Sequence, residues 1–132
     1  MLKGIGHLGI VVKDMEKSLK ALSQIIEFER PVIKEFPEKK MKCAVVETKG
    51  VALEFLQDNS DDGLMARFIR EKGDAIHHFC LVSDNIEQDV EALKKRGVEM
   101  MDQKPRIGLR GKKIAMTMPS ALNGITIELS EP

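Results

Sequence analysis

The chain has 132 residues, and its 21 Lys plus Arg balance 21 Asp plus Glu, so its formal charge is zero. That length suits a single domain that buries a real core without staples. The lack of a basic excess excludes nucleic acid as a natural partner, and with no Trp, no Tyr and five Phe there is no aromatic platform for stacked bases. The eight Met point to adaptable core packing. Cys43 and Cys80 both lie inside apolar strand patterns without a CxxC spacing, which reads as two reduced, buried thiols. Met1-Leu2-Lys3-Gly4 runs straight into the first strand with no leader-like apolar region, and no apolar run is long enough to span a bilayer. A cytoplasmic protein that does not engage membranes is expected.

In chain order, Ile5 to Val12 is rich in β-branched residues and predicts a strand. Asp14 can cap a helix on which Leu19, Leu22, Ile25 and Ile26 recur at helical spacing. Pro31 to Glu35 predicts a short strand, and Phe36 to Lys40 a charged turn around Pro37. Met41 to Glu47 and Val51 to Leu56 follow as a hairpin around Lys49-Gly50. Asn59-Ser60-Asp61-Asp62 offers capping chemistry for a helix with Leu64, Met65, Phe68 and Ile69 on one stripe, ended by Gly73. The order then repeats: a strand at Ile76 to Ser83, a helix at Ile86 to Gly97 and a short strand near Val98 to Met101. A loop with Pro105, Gly108 and Gly111 leads to strands at Lys113 to Met118 and Gly124 to Leu129. The expected fold is α+β: two βαβββ modules, about residues 1–58 and 74–132, joined by a helix at about 60–73. Neither module can hide its sheet alone, so residues 1–132 are expected to fold as one domain.

The repeat is also written in the residues. His7-Leu8-Gly9-Ile10-Val11-Val12 aligns with His78-Phe79-Cys80-Leu81-Val82-Ser83 at a shift of 71, and Leu19-Lys20-Ala21-Leu22 keeps that shift against Val90-Glu91-Ala92-Leu93. At a shift of 74, Gly50-Val51-Ala52-Leu53-Glu54 aligns with Gly124-Ile125-Thr126-Ile127-Glu128. Each copy thus opens a strand with a histidine and sets a glutamate in its last strand. Strand alternation places Glu54 and Glu128 opposite the core-facing Val51-Leu53-Phe55 and Ile125-Ile127-Leu129.

A carboxylate inside an apolar strand is costly unless it is paired or bound to a cation. His7, Glu54, His78 and Glu128 together make a four-ligand site for a divalent metal: two neutral imidazoles, two carboxylates, and open positions for substrate. Such ligation suits Co, Ni, Zn, Mn or Fe without choosing among them. A lone strand histidine is more often a satisfied core residue than a ligand, but here all three histidines fall at the two equivalent strand starts. A shift of 70 would select His77 in place of His78 and would misalign the helices.

Gly4-x-Gly6-x-x-Gly9 fits the spacing of the dinucleotide fingerprint and is rejected, because no strand precedes it and no helix follows. Gly108-Leu109-Arg110-Gly111-Lys112-Lys113 lacks phosphate-loop spacing; it reads as a solvated loop, with contact to a phosphate-bearing substrate as the sharper alternative.

This pattern resembles the vicinal oxygen chelate superfamily, which includes glyoxalase I and the bleomycin-resistance proteins. Within it the chain is most similar to the methylmalonyl-CoA epimerase family. The stretches that carry the likeness are Gly6-His7-Leu8-Gly9, Ala52-Leu53-Glu54-Phe55-Leu56, His77-His78-Phe79, and Pro105-Arg106-Ile107-Gly108 through Gly111-Lys112-Lys113 to Ile127-Glu128-Leu129. The resemblance implies an eight-stranded, U-shaped mixed sheet around a metal held by His7, Glu54, His78 and Glu128. It implies an acyl-CoA substrate epimerised at its α-carbon through an enolate, with Glu128 as one base and Glu38 as the other. It also implies a homodimer. Two departures stand out: Lys39-Lys40-Met41 replaces a Gln-Gly-Val-like run, and Met118-Pro119 replaces His-Pro. The alternatives are therefore a glyoxalase I-type lyase acting on a glutathione hemithioacetal, and a metal-free small-molecule binding module.

Overall fold

In the computed structural model, which describes residues 2–132, eight strands form one mixed sheet with three helices. The strands are β1 (Leu2–Val11), β2 (Lys34–Phe36), β3 (Met41–Val46), β4 (Ala52–Asp58), β5 (Ala75–Ser83), β6 (Arg106–Ile107), β7 (Lys113–Met116) and β8 (Thr126–Ser130). The helices are α1 (Met15–Ser23), α2 (Leu64–Lys72) and α3 (Ile86–Lys95). The sheet order is β2-β3-β4-β1-β5-β8-β7-β6. From its outer edge inward each half thus runs second, third, fourth, first, and the repeat in the sequence becomes a repeat in topology.

The chain divides into two compact units, Leu8–His77 and a second made of the stretch up to His7 with His78–Pro132. The division falls inside β1 and inside β5, whereas the sequence pattern places module boundaries near 58 and 74.

In the Leu8–His77 unit, α1 starts where Asp14 accepts a hydrogen bond from the Lys17 N–H at 3.1 Å. Met15 and Leu19 bury against Val12, Val46 and Phe55. The helix stops at Ser23, whose hydroxyl bonds back to the Lys20 carbonyl at 2.6 Å. Ile25 therefore leaves the expected apolar stripe and is exposed. β3 and β4 pair antiparallel with Val45 opposite Glu54, and Gly50 takes the positive φ of 105° in the expected turn. The second strand starts at Lys34, later than expected; Pro31 has no N–H for a ladder and Val32 is exposed. Capping of α2 also differs. Its Ncap is Gly63, and Asp58 at the end of β4 reaches over to accept from the Ala66 N–H at 3.1 Å and the Ser60 N–H at 2.9 Å. Of the expected capping run, Ser60 takes part, accepting from the Gly63 N–H at 3.0 Å.

In the other unit, α3 is capped by Asn85 and packs Ile86 and Val90 against Ala115 and Leu129. β5 and β8 run parallel, with His78 opposite Thr126 and Cys80 opposite Glu128. The short strand expected at Val98 to Met101 is not formed; only a bridge joins Met100 to Thr117. The reason is the Asp102 side chain. It accepts from the Met116 N–H and from Arg106 Nε, each at 2.9 Å, so a carboxylate ends the backbone pairing that the Met118 N–H to Glu99 and Met101 N–H to Met116 bonds begin. The sixth strand lies later, at Arg106–Ile107, paired with β7.

Candidate metal centre

His7, His78 and Glu128 belong to one unit and lie on the adjacent strands β1, β5 and β8. All three residues are buried, at 4%, 1% and 6% exposure. Glu128 Oε1 lies 3.3 Å from His7 Nε2, and Oε2 lies 3.7 Å from His78 Nε2. The two imidazoles meet edge to face, with centroids 5.5 Å apart. One carboxylate thus spans two ring nitrogens.

Burial pushes the Glu128 carboxyl upward. The hydrogen bond from His7, the charges of His78 and His7, and the Cys80 thiol outweigh it and hold the carboxyl below the usual carboxylate range. The group is therefore ionised at neutral pH, as a ligand or a proton acceptor must be.

The donor set fits a divalent metal. Nitrogen and oxygen ligands at about 2.0–2.2 Å from a tetrahedral ion lie roughly 3.3–3.6 Å from each other. Of the two histidine–glutamate distances, 3.3 Å falls in that range and 3.7 Å lies 0.1 Å above it. His7, His78 and Glu128 would hold the ion.

Two further residues enter this site that their sequence context left plain. Cys80 reads as a buried apolar residue, yet the parallel register sets it beside Glu128. Its Sγ, a His7 ring nitrogen and a Glu128 oxygen all lie within 4.8 Å of one another. The second is Arg110, whose Nη2 stands 3.4 Å from His7 Nδ1. A guanidinium only donates, so with a neutral ring this contact makes Nδ1 the acceptor. The glycine-rich loop around Arg110 is thus tied to the site by one cation, and Lys113 at its end pairs with Glu87 at 2.6 Å. Register and loop path decide both placements, and neither is written in a local motif.

The remaining expected site residues lie in the Leu8–His77 unit. Glu54 is buried in the middle of β4. Glu38 is exposed on a 3₁₀ turn, Pro37–Lys39. His77 packs its ring edge to face on Phe68, with centroids 4.8 Å apart. Both cysteines are buried. Among the described residues no helix is long and apolar enough to cross a membrane.

Comparison with known proteins follows the same lines. A family model described as Glyoxalase/Bleomycin resistance protein/Dioxygenase superfamily matches residues 6–116. The chain is similar to the uncharacterized protein YqjC of Bacillus subtilis, with 27% identity over 97% of this chain and 91% of that protein. It is similar to the mitochondrial methylmalonyl-CoA epimerase of Bos taurus, with 26% identity over 96% of this chain and 73% of that protein. Among solved structures, a hypothetical protein from Bacillus halodurans superposes with a TM-score of 0.90 at 26% identity, covering 98% of this chain and 94% of the other. A methylmalonyl-CoA epimerase in complex with methylmalonyl-CoA and NH4+ shares the fold, with a TM-score of 0.86 at 22% identity over 99% of this chain and 95% of that one.

Proposed function

The chain belongs to the glyoxalase/bleomycin resistance protein/dioxygenase superfamily, and on that premise we propose that it is a metal-dependent epimerase of methylmalonyl-CoA. The observation that carries this reading is Glu128, a buried and ionised carboxylate set between two imidazoles. The epimerase named among the relatives adds to it.

His7, His78 and Glu128 are the proposed ligands, and Glu54 is the fourth because the repeat makes it the counterpart of Glu128. When bound, a divalent cation supplies Lewis acidity, polarising the two carbonyl oxygens of a 2-substituted malonyl thioester and making its α-proton acidic. Glu128 is the proposed base for one face of that carbon. Its ionised state keeps it ready to accept a proton, and its mounting on a strand holds the accepting oxygen in place. Glu38 is the proposed partner for the opposite face, returning a proton to the enolate. His7 and His78 do the orienting, since each sits on the carboxylate oxygen it faces.

The proposal extends to a homodimer working in the cytoplasm, where buried thiols such as Cys43 and Cys80 stay reduced. Sedimentation velocity tests the dimer.

The deciding experiment gives metal-loaded protein methylmalonyl-CoA in D₂O and, separately, methylglyoxal with glutathione. Deuterium at the α-carbon of the thioester is the expected result. Turnover of only the second substrate replaces this reading with a glyoxalase. Turnover of neither, by protein that demonstrably holds metal, refutes both.

A further inference from the structure

Cys80 is 1% exposed and stands in register with Glu128 on the neighbouring parallel strand, two residues beyond His78. Residues opposite each other in a ladder share a face, so the thiol and the carboxylate emerge side by side. The Sγ, a His7 nitrogen and a Glu128 oxygen lie within 4.8 Å of one another. A thiol offers a soft donor at a place where nitrogen and oxygen donors already converge.

We propose that Cys80 gives this centre a second, sulfur-containing ligand set, His7–Cys80–Glu128, which thiophilic divalent ions such as Cd²⁺ and Co²⁺ adopt and Mn²⁺ does not. The inference rests on the metal-binding reading above. The chemistry is hard–soft matching: carboxylate and imidazole serve Mn²⁺, while thiolate selects the softer ions at the same address. On ligation the thiol proton passes to solvent and the sulfur lone pair forms the new bond. Sulfur then fills a position that carboxylate and imidazole ligation leaves open to substrate. The identity of the ion thus decides whether the centre is open or closed.

The test uses the full-length protein, its Cys80→Ala and Cys80→Ser variants, and Cys43→Ala as the control for the other buried thiol. Each is loaded with Co²⁺ and its near-ultraviolet spectrum recorded; Cd²⁺ and Mn²⁺ affinities are measured by chelator competition. Wild type and Cys43→Ala should show a thiolate-to-cobalt charge-transfer band that both Cys80 variants lack. Cd²⁺ should bind the Cys80 variants more than about tenfold less tightly, since even partners outside the ligand set act on that scale. Mn²⁺ affinity should stay within about twofold, because a hard ion does not use the sulfur. Stoichiometric Co²⁺ binding by wild type without the band overturns this proposal and leaves the metal centre intact. Persistence of the band in Cys80→Ser does the same. Failure of wild type to bind any of the three ions more tightly than a His7→Ala/His78→Ala double variant overturns the metal reading itself. Cys80→Ser keeps the side-chain shape and a hydrogen-bond donor toward Glu128, so the comparison survives if Cys80→Ala misfolds.

Discussion

Replacing His77 and His78 one at a time separates packing from ligation at two adjacent residues. His77 is buried and meets Phe68 edge to face, with centroids 4.8 Å apart and planes at 80°. Such a pair is worth about 0.5–1.5 kcal/mol beyond the area it buries. Truncation to alanine also leaves a partial cavity, so His77→Ala is expected to cost about 1–3 kcal/mol in all. For a chain of 132 residues this lowers the midpoint by roughly 4 °C per kcal/mol. A cycle with Phe68→Ala should recover a coupling of about 0.5–1.5 kcal/mol, read from urea unfolding. Metal affinity should be almost unchanged in His77→Ala. His78→Ala should do the reverse, cutting metal affinity by well over the ~10–100-fold typical of losing a ligand's outer partner. If His77→Ala abolishes metal binding and His78→Ala spares it, the assignment of the ligand is wrong by one residue. A coupling of zero with Phe68→Ala would refute the packing role.

Ser83→Ala removes the 2.5 Å hydrogen bond that its hydroxyl donates to Asp89, and should cost about 1.5–3 kcal/mol at pH 7, the worth of a bond to a charged group. Burial raises the Asp89 carboxyl, but Ser83 helps hold it below its ordinary value, so its contribution is complete above the unfolded-state pKa near ~3.9 and fades as pH falls through the lower folded-state value; urea curves that show the same cost at pH 7 and pH 3 would refute this. Gly108→Ala puts a Cβ 2.8 Å from Ile114 Cδ1, and should destabilise by about 1–3 kcal/mol in thermal melts as Ile114 is displaced. Arg110→Met frees His7 Nδ1 to carry the ring proton and Nε2 to ligate, so metal affinity should rise by about tenfold, the equivalent of one ordinary hydrogen bond, in chelator competition. Glu128→Gln should abolish α-carbon deuterium exchange while the protein still folds, as judged by circular dichroism.

Much of the architecture is legible in the chain because the repeat constrains it twice over. The matched strands of the two copies come out as a sheet whose two halves follow the same internal order. What escaped the pattern did so for local physical reasons. The sixth strand moved to Arg106–Ile107 because the Asp102 side chain takes the Met116 N–H that a strand at Val98 to Met101 would need. Ile25 fell out of its stripe because the helix ended one turn early at a back-bonding serine. At the site, alternation alone puts His77 and His78 on opposite faces, and only their neighbours, Phe68 for one and Glu128 for the other, tell them apart. Cys80 was illegible as a site residue because cross-strand register is not a property of either strand's sequence. Arg110 was half legible: a basic loop was visible, but its reach to His7 depends on a turn in which Gly111 takes a positive φ of 84° and Gly108 makes room for Ile114.

The strands bearing His7, His78 and Glu128 have paired neighbours on both sides, and this sets how the site fluctuates. An amide in an interior strand exchanges with solvent only when its ladder opens, and ladders flanked on both sides open last. The donor atoms sit on strands whose amides should exchange slowly, while the segment from Gly108 to Lys112 hangs from short-range turn bonds. The proposed ligands thus ride on strands that open late, beside a loop whose local turns can open without them.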